Sequence, residues 1–157
     1  MTTNAEARLA EMGIKFPEAP AAVGDYIPVV QFGDMVITSG QLPMLDGAMT
    51  ATGKIGADLT VKEGAAAARV AALNCVAQIR SCVGSIDKVT RIVRVEGFVN
   101  SADGFHSQAQ VLNGASNLLA EIFGEAGRHT RIAVGVNELP LNAAVEVVVW
   151  AQMEKDI

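Results

Sequence analysis

Two charges stand in otherwise apolar, strand-like stretches of this chain. Arg131 is followed by IAVGV, and Glu146 is the only charge in NAAVEVVVWAQ. Charged side chains are seldom fully buried unless they are paired. A guanidinium presents a planar fork that can hold a carboxylate through two hydrogen bonds. A carboxylate nearby can orient a water or take its proton. If residues 129–136 and 142–152 pair as a hairpin around Pro140, Arg131 falls opposite a residue near Val148. Glu146 is then one diagonal step away on the same face. The pattern admits two readings at this point: an anion site, or an ion pair at a sheet edge or subunit interface.

Other residues could join such a site. His129 lies two residues before Arg131 and would share its face in a strand; a capping or surface role fits equally well. Ser39-Gly40, at the end of a strand-like run, offers the best hydroxyl, or marks only a strand-ending turn. Asn113 and Asn117 lie one helical turn apart and share a face. Asparagine is a poor helix former, so two of them point either to a site or to a solvated face. Tyr26, the sole tyrosine, could cover a ligand or pack with its hydroxyl at a rim. His106 and His129 are the only histidines, and no His/Cys cluster has metal-ligand spacing, so no metal site is expected. There is no nucleophile elbow, phosphate loop or dinucleotide fingerprint, and no cofactor is signalled. Cys75 and Cys82 are the only cysteines. Seven helical residues rise roughly 10.5 Å, beyond the roughly 7 Å between Cα atoms that a disulfide tolerates. Two buried thiols in a reducing compartment are expected.

The elements that must position these residues follow from periodicity. Residues 4–12 suggest a short helix with Asn4 as its cap, before the extended KFPEAPAAVGD. YIPVVQF (26–32) and MVITS (35–39) flank Gly33-Asp34 as a hairpin. Residues 39–60 read as a long loop with one short strand at most. Thr60-Val61-Lys62-Glu63 fits a capping box. It opens a helix whose stripe includes Ala72, Val76, Ile79 and Val83, with Gly84 as its stop. KVTRIVRVEGFV (88–99) reads as a strand. A helix starting near Asp103 runs to Phe123, and 129–136 and 142–152 are strands. The order ββ, α, β, α, ββ gives an α+β fold: one sheet with two long helices on one face. The other face of that sheet would be apolar and uncovered, so self-association is expected.

Composition agrees and excludes several classes. A chain of 157 residues suits one domain, spanning 1–157 with residues 1–19 as an N-terminal extension. Half the residues are hydrophobic and 18% are charged, again favouring a surface buried by association. No apolar run reaches the roughly 18 residues of a membrane span. The first residues lack the apolar core of a secretion signal, so a cytoplasmic location is expected. With a net charge of −5 and no Lys/Arg cluster, nucleic acid is not an expected partner.

Taken together, these residues resemble the RidA/YjgF family, also labelled endoribonuclease L-PSP-like and chorismate-mutase-like. AAVGDYIPVVQFGDMVITSGQLP is similar to the family's opening, and RIAVGVNELPLNAAVEVVVWA to its arginine, Leu-Pro and glutamate ending. The resemblance spans roughly residues 20–153. It implies one mixed sheet backed by two helices, and a homotrimer with ligand pockets between subunits. In many members it implies cofactor-independent hydrolysis of enamines or imines, such as 2-aminoacrylate, to 2-keto acids and ammonia. On this pattern Arg131 grips the substrate carboxylate and Glu146 is the acid near the attacking water. Tyr26, Ser39 and Gly40 line the pocket, with Asn117 or its rival Asn113. Ala133 contributes a backbone carbonyl. The family's usual Pro-Ala-Arg is His129-Thr130-Arg131 here, and the stretch before Arg131 is shorter. These departures resemble a less characterised branch, for which a non-catalytic sensor or chaperone-like trimer binding small carboxylates is the alternative. The ribonuclease implied by the older label is disfavoured by the acidic charge and absent basic patch.

Overall fold

The computed structural model describes residues 3–155. The ends of the expected 1–157 domain, residues 1–2 and 156–157, lie outside the described residues. The elements run α1 (Ala5–Glu11), β1 (Val29–Phe32), β2 (Met35–Thr38), β3 (Met44–Leu45), β4 (Ala48–Met49), α2 (Val61–Val83), β5 (Val89–Asn100), α3 (Gln108–Phe123), β6 (Thr130–Val136) and β7 (Val145–Met153). This is a mixed α+β fold. Five strands form one sheet in the order β1-β2-β7-β5-β6, with β5 and β6 parallel and the other neighbours antiparallel. Among the described residues no helix is long and apolar enough to cross a membrane.

Local signals set the helices. Thr60 Oγ1 accepts from the Glu63 amide at 3.1 Å, and the Glu63 carboxylate accepts from the Thr60 amide at 3.3 Å, so the capping box forms as expected. Gly84 ends α2 with φ +88°. Asn4 does precede α1, but its side chain makes no capping hydrogen bond. The second long helix starts at Gln108 rather than near Asp103. Gly104 takes φ +77° in a turn between them, and Phe105 packs over Gly56. Cys75 is buried, and burial pushes its thiol up to about 12, whereas Cys82 is exposed. The expectation of two buried thiols therefore fails at Cys82, which sits on the outward side of the last turn of α2.

Both long helices lie on one face of the sheet. The small residues of α2 allow the close crossing: a Cβ on Gly114 of α3 would sit 2.7 Å from the Ala65 carbonyl carbon. Buried positions alternate along β7, where Val145, Val147, Val149, Ala151 and Met153 face the helices. The N-terminal segment belongs to this core. Leu9 is buried, and the Glu6 carboxylate accepts from Arg80, Ser85 and the Ile86 amide. The opposite face carries Val30, Phe32, Met35, Ile37, Val148, Trp150, Phe98 and Ile132, as strand alternation and register require. Phe32 is 56% exposed and Ile132 41%. The Trp150 indole N–H is buried without an acceptor among the described residues.

The expected hairpin of the last two strands does not exist. β7 lies between β2 and β5, and β6 forms the far edge beyond β5. The connection, residues 137–144, passes over the end of β5 instead of turning tightly. Its polar groups are met there. The Asn100 amide donates to the Ala143 carbonyl at 3.1 Å and to Asn142 Oδ1 at 3.3 Å, and Lys54 Nζ donates to Asn100 Oδ1 at 3.0 Å and to the Asn137 carbonyl. Leu141 and Asn142 both hold φ of +56° in this link.

Candidate functional site

Arg131 and Glu146 stand on opposite faces of the sheet. Arg131 is in register with Val95, and Val95 with Val149; both valines are buried beneath the helices. Glu146 is in register with Phe98 and alternates with buried Val145 and Val147, so it points to the other face. The expected diagonal pair is thus corrected by two facts: β5 intervenes, and the parity of the two positions differs.

The guanidinium of Arg131 reaches over the sheet edge to α3. Its Nη1 donates to Asn113 Oδ1 at 2.9 Å and to Ser116 Oγ at 3.1 Å, and Nη2 donates to the Ala109 carbonyl at 3.3 Å. A guanidinium carries five N–H donors, so Nε–H and one Nη2–H have no acceptor among the described residues. That pair suffices for one carboxylate. The cavity beside it, about 570 Å³, is lined by Asn113, Ser116, Asn117, Glu125, Arg128, His129 and Arg131. Both asparagines therefore line it, and Asn113 alone bonds the arginine. His129 precedes β6 and stands between Ser116 Oγ (2.9 Å from Nε2) and the Gly127 carbonyl (2.6 Å from Nδ1). Burial pushes its pKa down; the Gly127 carbonyl pulls upward and the Arg131 charge downward. Ala133, on the same face as Arg131, packs against the core and lines neither cavity.

Glu146, Ser39, Gly40 and Tyr26 meet in a second cavity of about 450 Å³, with Ala21, Val23, Leu42, Met44 and Pro140 as its apolar wall. Glu146 makes no hydrogen bond or ion pair among the described residues. Burial holds its carboxyl above the usual carboxylate range. Ser39 Oγ donates to the Ile27 carbonyl at 2.6 Å. Tyr26 does not open a strand as expected; β1 starts at Val29, and Tyr26 stands in a bend where its hydroxyl accepts from the Val23 amide at 3.3 Å. Gly40 is needed for space, since a Cβ there would sit 2.7 Å from Glu146 Cδ. Gly40→Ala is expected to turn that carboxylate out toward water, because the far end of a side chain yields more easily than backbone. Carbon-13 NMR titration would then find Glu146 back in the usual range; an unchanged raised value would show that the carboxylate has not moved.

Sequence reasoning missed the polar residues that hold these walls. Asn74 on α2 donates to the Leu42 and Met44 carbonyls at 3.0 and 2.8 Å. Gln78, one turn later, donates to the Pro20 carbonyl at 2.6 Å and to Gln41 Oε1 at 3.2 Å. Both are 1% exposed. Two amides at i, i+4 spacing within an otherwise alanine-rich helix face were the available signal. Ser116, which links Arg131 to His129, had none.

Comparison with known proteins agrees with this architecture. The family model described as "YjgF/chorismate_mutase-like, putative endoribonuclease" matches residues 6–153. Protein TCP17 of Trypanosoma cruzi is 49% identical over 142 residues, covering 90% of this chain and 89% of that protein. The crystal structure of Atu1372, a protein of unknown function from Agrobacterium tumefaciens, superposes with a TM-score of 0.89 at 40% identity, covering 96% of this chain and 92% of that one. The 2-iminobutanoate/2-iminopropanoate deaminase of Escherichia coli strain K12 is 37% identical over 76 residues, covering 48% of this chain and 55% of that protein. With the family model matching residues 6–153 and a relative 49% identical over 90% of this chain, the chain belongs to the YjgF/chorismate-mutase-like family.

Proposed function

We propose that this protein is a cofactor-independent deaminase that hydrolyses small 2-imino or 2-amino-enoic acids to 2-keto acids and ammonia. The observation that carries this reading is the Arg131 guanidinium, fixed on three sides by α3 with two N–H groups left at a cavity. An iminium carbon is already electrophilic. The protein needs only to hold the carboxylate, place a water and accept its proton. Arg131 supplies the first, with Asn113, Asn117 and His129 around it. Glu146 supplies the last from a cavity whose apolar wall and Tyr26, Ser39 and Gly40 limit the substrate's size. An enamine first gains a proton at C3 from solvent to become the iminium. Water then adds to the iminium carbon and gives one proton to Glu146. That proton passes to the amine, and the C–N bond breaks as the hydroxyl proton is lost to solvent, releasing ammonia and the keto acid.

Because Arg131 and Glu146 face opposite ways, one chain does not join them. We assign the complete site to two neighbouring copies in a homotrimer, the Arg131 cavity of one closing on the Glu146 cavity of the next. The exposed Phe32 and Ile132 and the unsatisfied Trp150 N–H support a covered open face. The test is release of ammonia and pyruvate from freshly generated 2-aminoacrylate, at a rate above the uncatalysed one. Binding of 2-keto acids without any turnover would instead establish the non-catalytic carboxylate sensor, which the altered His129-Thr130 flank favours.

A further inference from the structure

We infer that His129 is a positioning residue for Arg131, acting through the Ser116 hydroxyl to fix the guanidinium edge that receives a carboxylate. This rests on the carboxylate site proposed above and adds how that site is held. The direction of each hydrogen bond can be derived. The Gly127 carbonyl, 2.6 Å from His129 Nδ1, can only accept, so Nδ1 carries a proton. In the neutral ring Nε2 then offers a lone pair, and Ser116, 2.9 Å away, donates its O–H to it. That leaves the Ser116 oxygen lone pairs for Arg131 Nη1, at 3.1 Å. The chain of donors runs one way, from Arg131 to Ser116 to His129 to Gly127.

A serine inside a helix otherwise tends to turn its hydroxyl back to the carbonyl one turn earlier. His129 competes for that proton and so aims the oxygen. The half-buried, lowered pKa of His129 agrees with a neutral ring. With Asn113 Oδ1 and the Ala109 carbonyl as the other two anchors, Ser116 completes a three-point hold. The donors that remain, Nε–H and one Nη2–H, are thereby given a fixed direction. Preorganised donors bind an anion without first being ordered.

The experiment is a double-mutant cycle read by pyruvate affinity. His129→Ala and Ser116→Ala are each expected to weaken pyruvate about 5–10-fold, and the double variant no further, because both remove one coupled element. His129→Gln is expected to restore most of the affinity, since its carbonyl oxygen can accept from Ser116. With 2-aminoacrylate, KM should rise by more than kcat falls, as expected for an interaction present in both ground and transition states. Wild-type affinity in His129→Ala, or losses that simply add in the double variant, would overturn the inference. Ser116→Ala and His129→Gln keep it testable if His129→Ala folds poorly. Arg131→Ala separates the two levels. If that variant loses pyruvate while His129→Ala keeps it, only the role of His129 fails. If Arg131→Ala binds as wild type does, the carboxylate site itself has failed and this inference with it.

Discussion

Arg131→Ala is expected to lower kcat/KM for 2-aminoacrylate by about two orders of magnitude or more and to remove measurable pyruvate binding. The size follows from truncating one partner of a charged, hydrogen-bonded pair, which typically costs about 2–5 kcal/mol. The variant also strands Asn113 Oδ1, but that atom lies at a cavity where water can reach it, so the cost to stability is about 1 kcal/mol or less. Arg131→Lys should rescue little. An ammonium is a point charge and cannot span Asn113, Ser116 and the Ala109 carbonyl while keeping two donors for a ligand. Turnover assays and calorimetric titration with pyruvate check both. Activity unchanged in Arg131→Ala would dispose of the proposed chemistry.

Glu146→Gln is expected to lose about 10²–10⁴-fold in kcat, the usual contribution of a positioned general base, and to unfold at a higher temperature than the parent at neutral pH. The sign comes from burial. Glu146 has a raised pKa and no hydrogen-bond partner among the described residues. The folded chain therefore holds its proton more tightly than the unfolded chain does. The ionised group costs stability above its folded pKa, and the cost disappears as pH falls below the unfolded value. Glutamine carries no charge to bury, so the gain should shrink on acidification. The wild-type rate should fall as pH drops through the raised pKa of Glu146, and the residual rate of Glu146→Gln should lack that limb. A variant less stable than its parent at neutral pH, yet equal to it in acid, would contradict the assignment. Mixing Arg131→Ala and Glu146→Gln chains under conditions that exchange subunits should restore about a quarter of wild-type activity, because a random closed ring of two chain types pairs an intact arginine with an intact glutamate at that frequency. No recovery would mean that the two residues do not serve one shared pocket.

The fold and the site were unequally legible in the sequence. The capping box at Thr60, the glycine stop at Gly84 and the alternation of β7 are local signals, and they placed the elements within a few residues. Arg131 and Glu146 also stood out as candidates, because a lone charge in an apolar strand is conspicuous. What failed was the neighbourhood of Arg131 and Glu146. Periodicity reports which residues share a strand face but not which strands are adjacent. The expected strand bounds left residues 137–141, five residues, which suits an ordinary hairpin loop; β7 in fact starts at Val145, so the link is longer. The late start of α3 was masked because Phe105 continues the apolar stripe although it packs on a loop. Asn74 and Gln78 left only their i, i+4 spacing as a signal, because three of their four acceptors are main-chain carbonyls, which no side-chain pattern records.

The strand order has a consequence for biogenesis. Among the described residues, β7, last in chain order of the five strands of the main sheet, joins β1-β2 on one side to β5-β6 on the other. Until it emerges from the ribosome, β2 and β5 each present an open row of amides and carbonyls beneath helices that have no complete surface to rest on. The nascent protein therefore keeps both half-sheets open until β7 has been made. Lesions in β7 should accordingly be cleared by quality control more often than equally conservative ones in the edge strands β1 and β6.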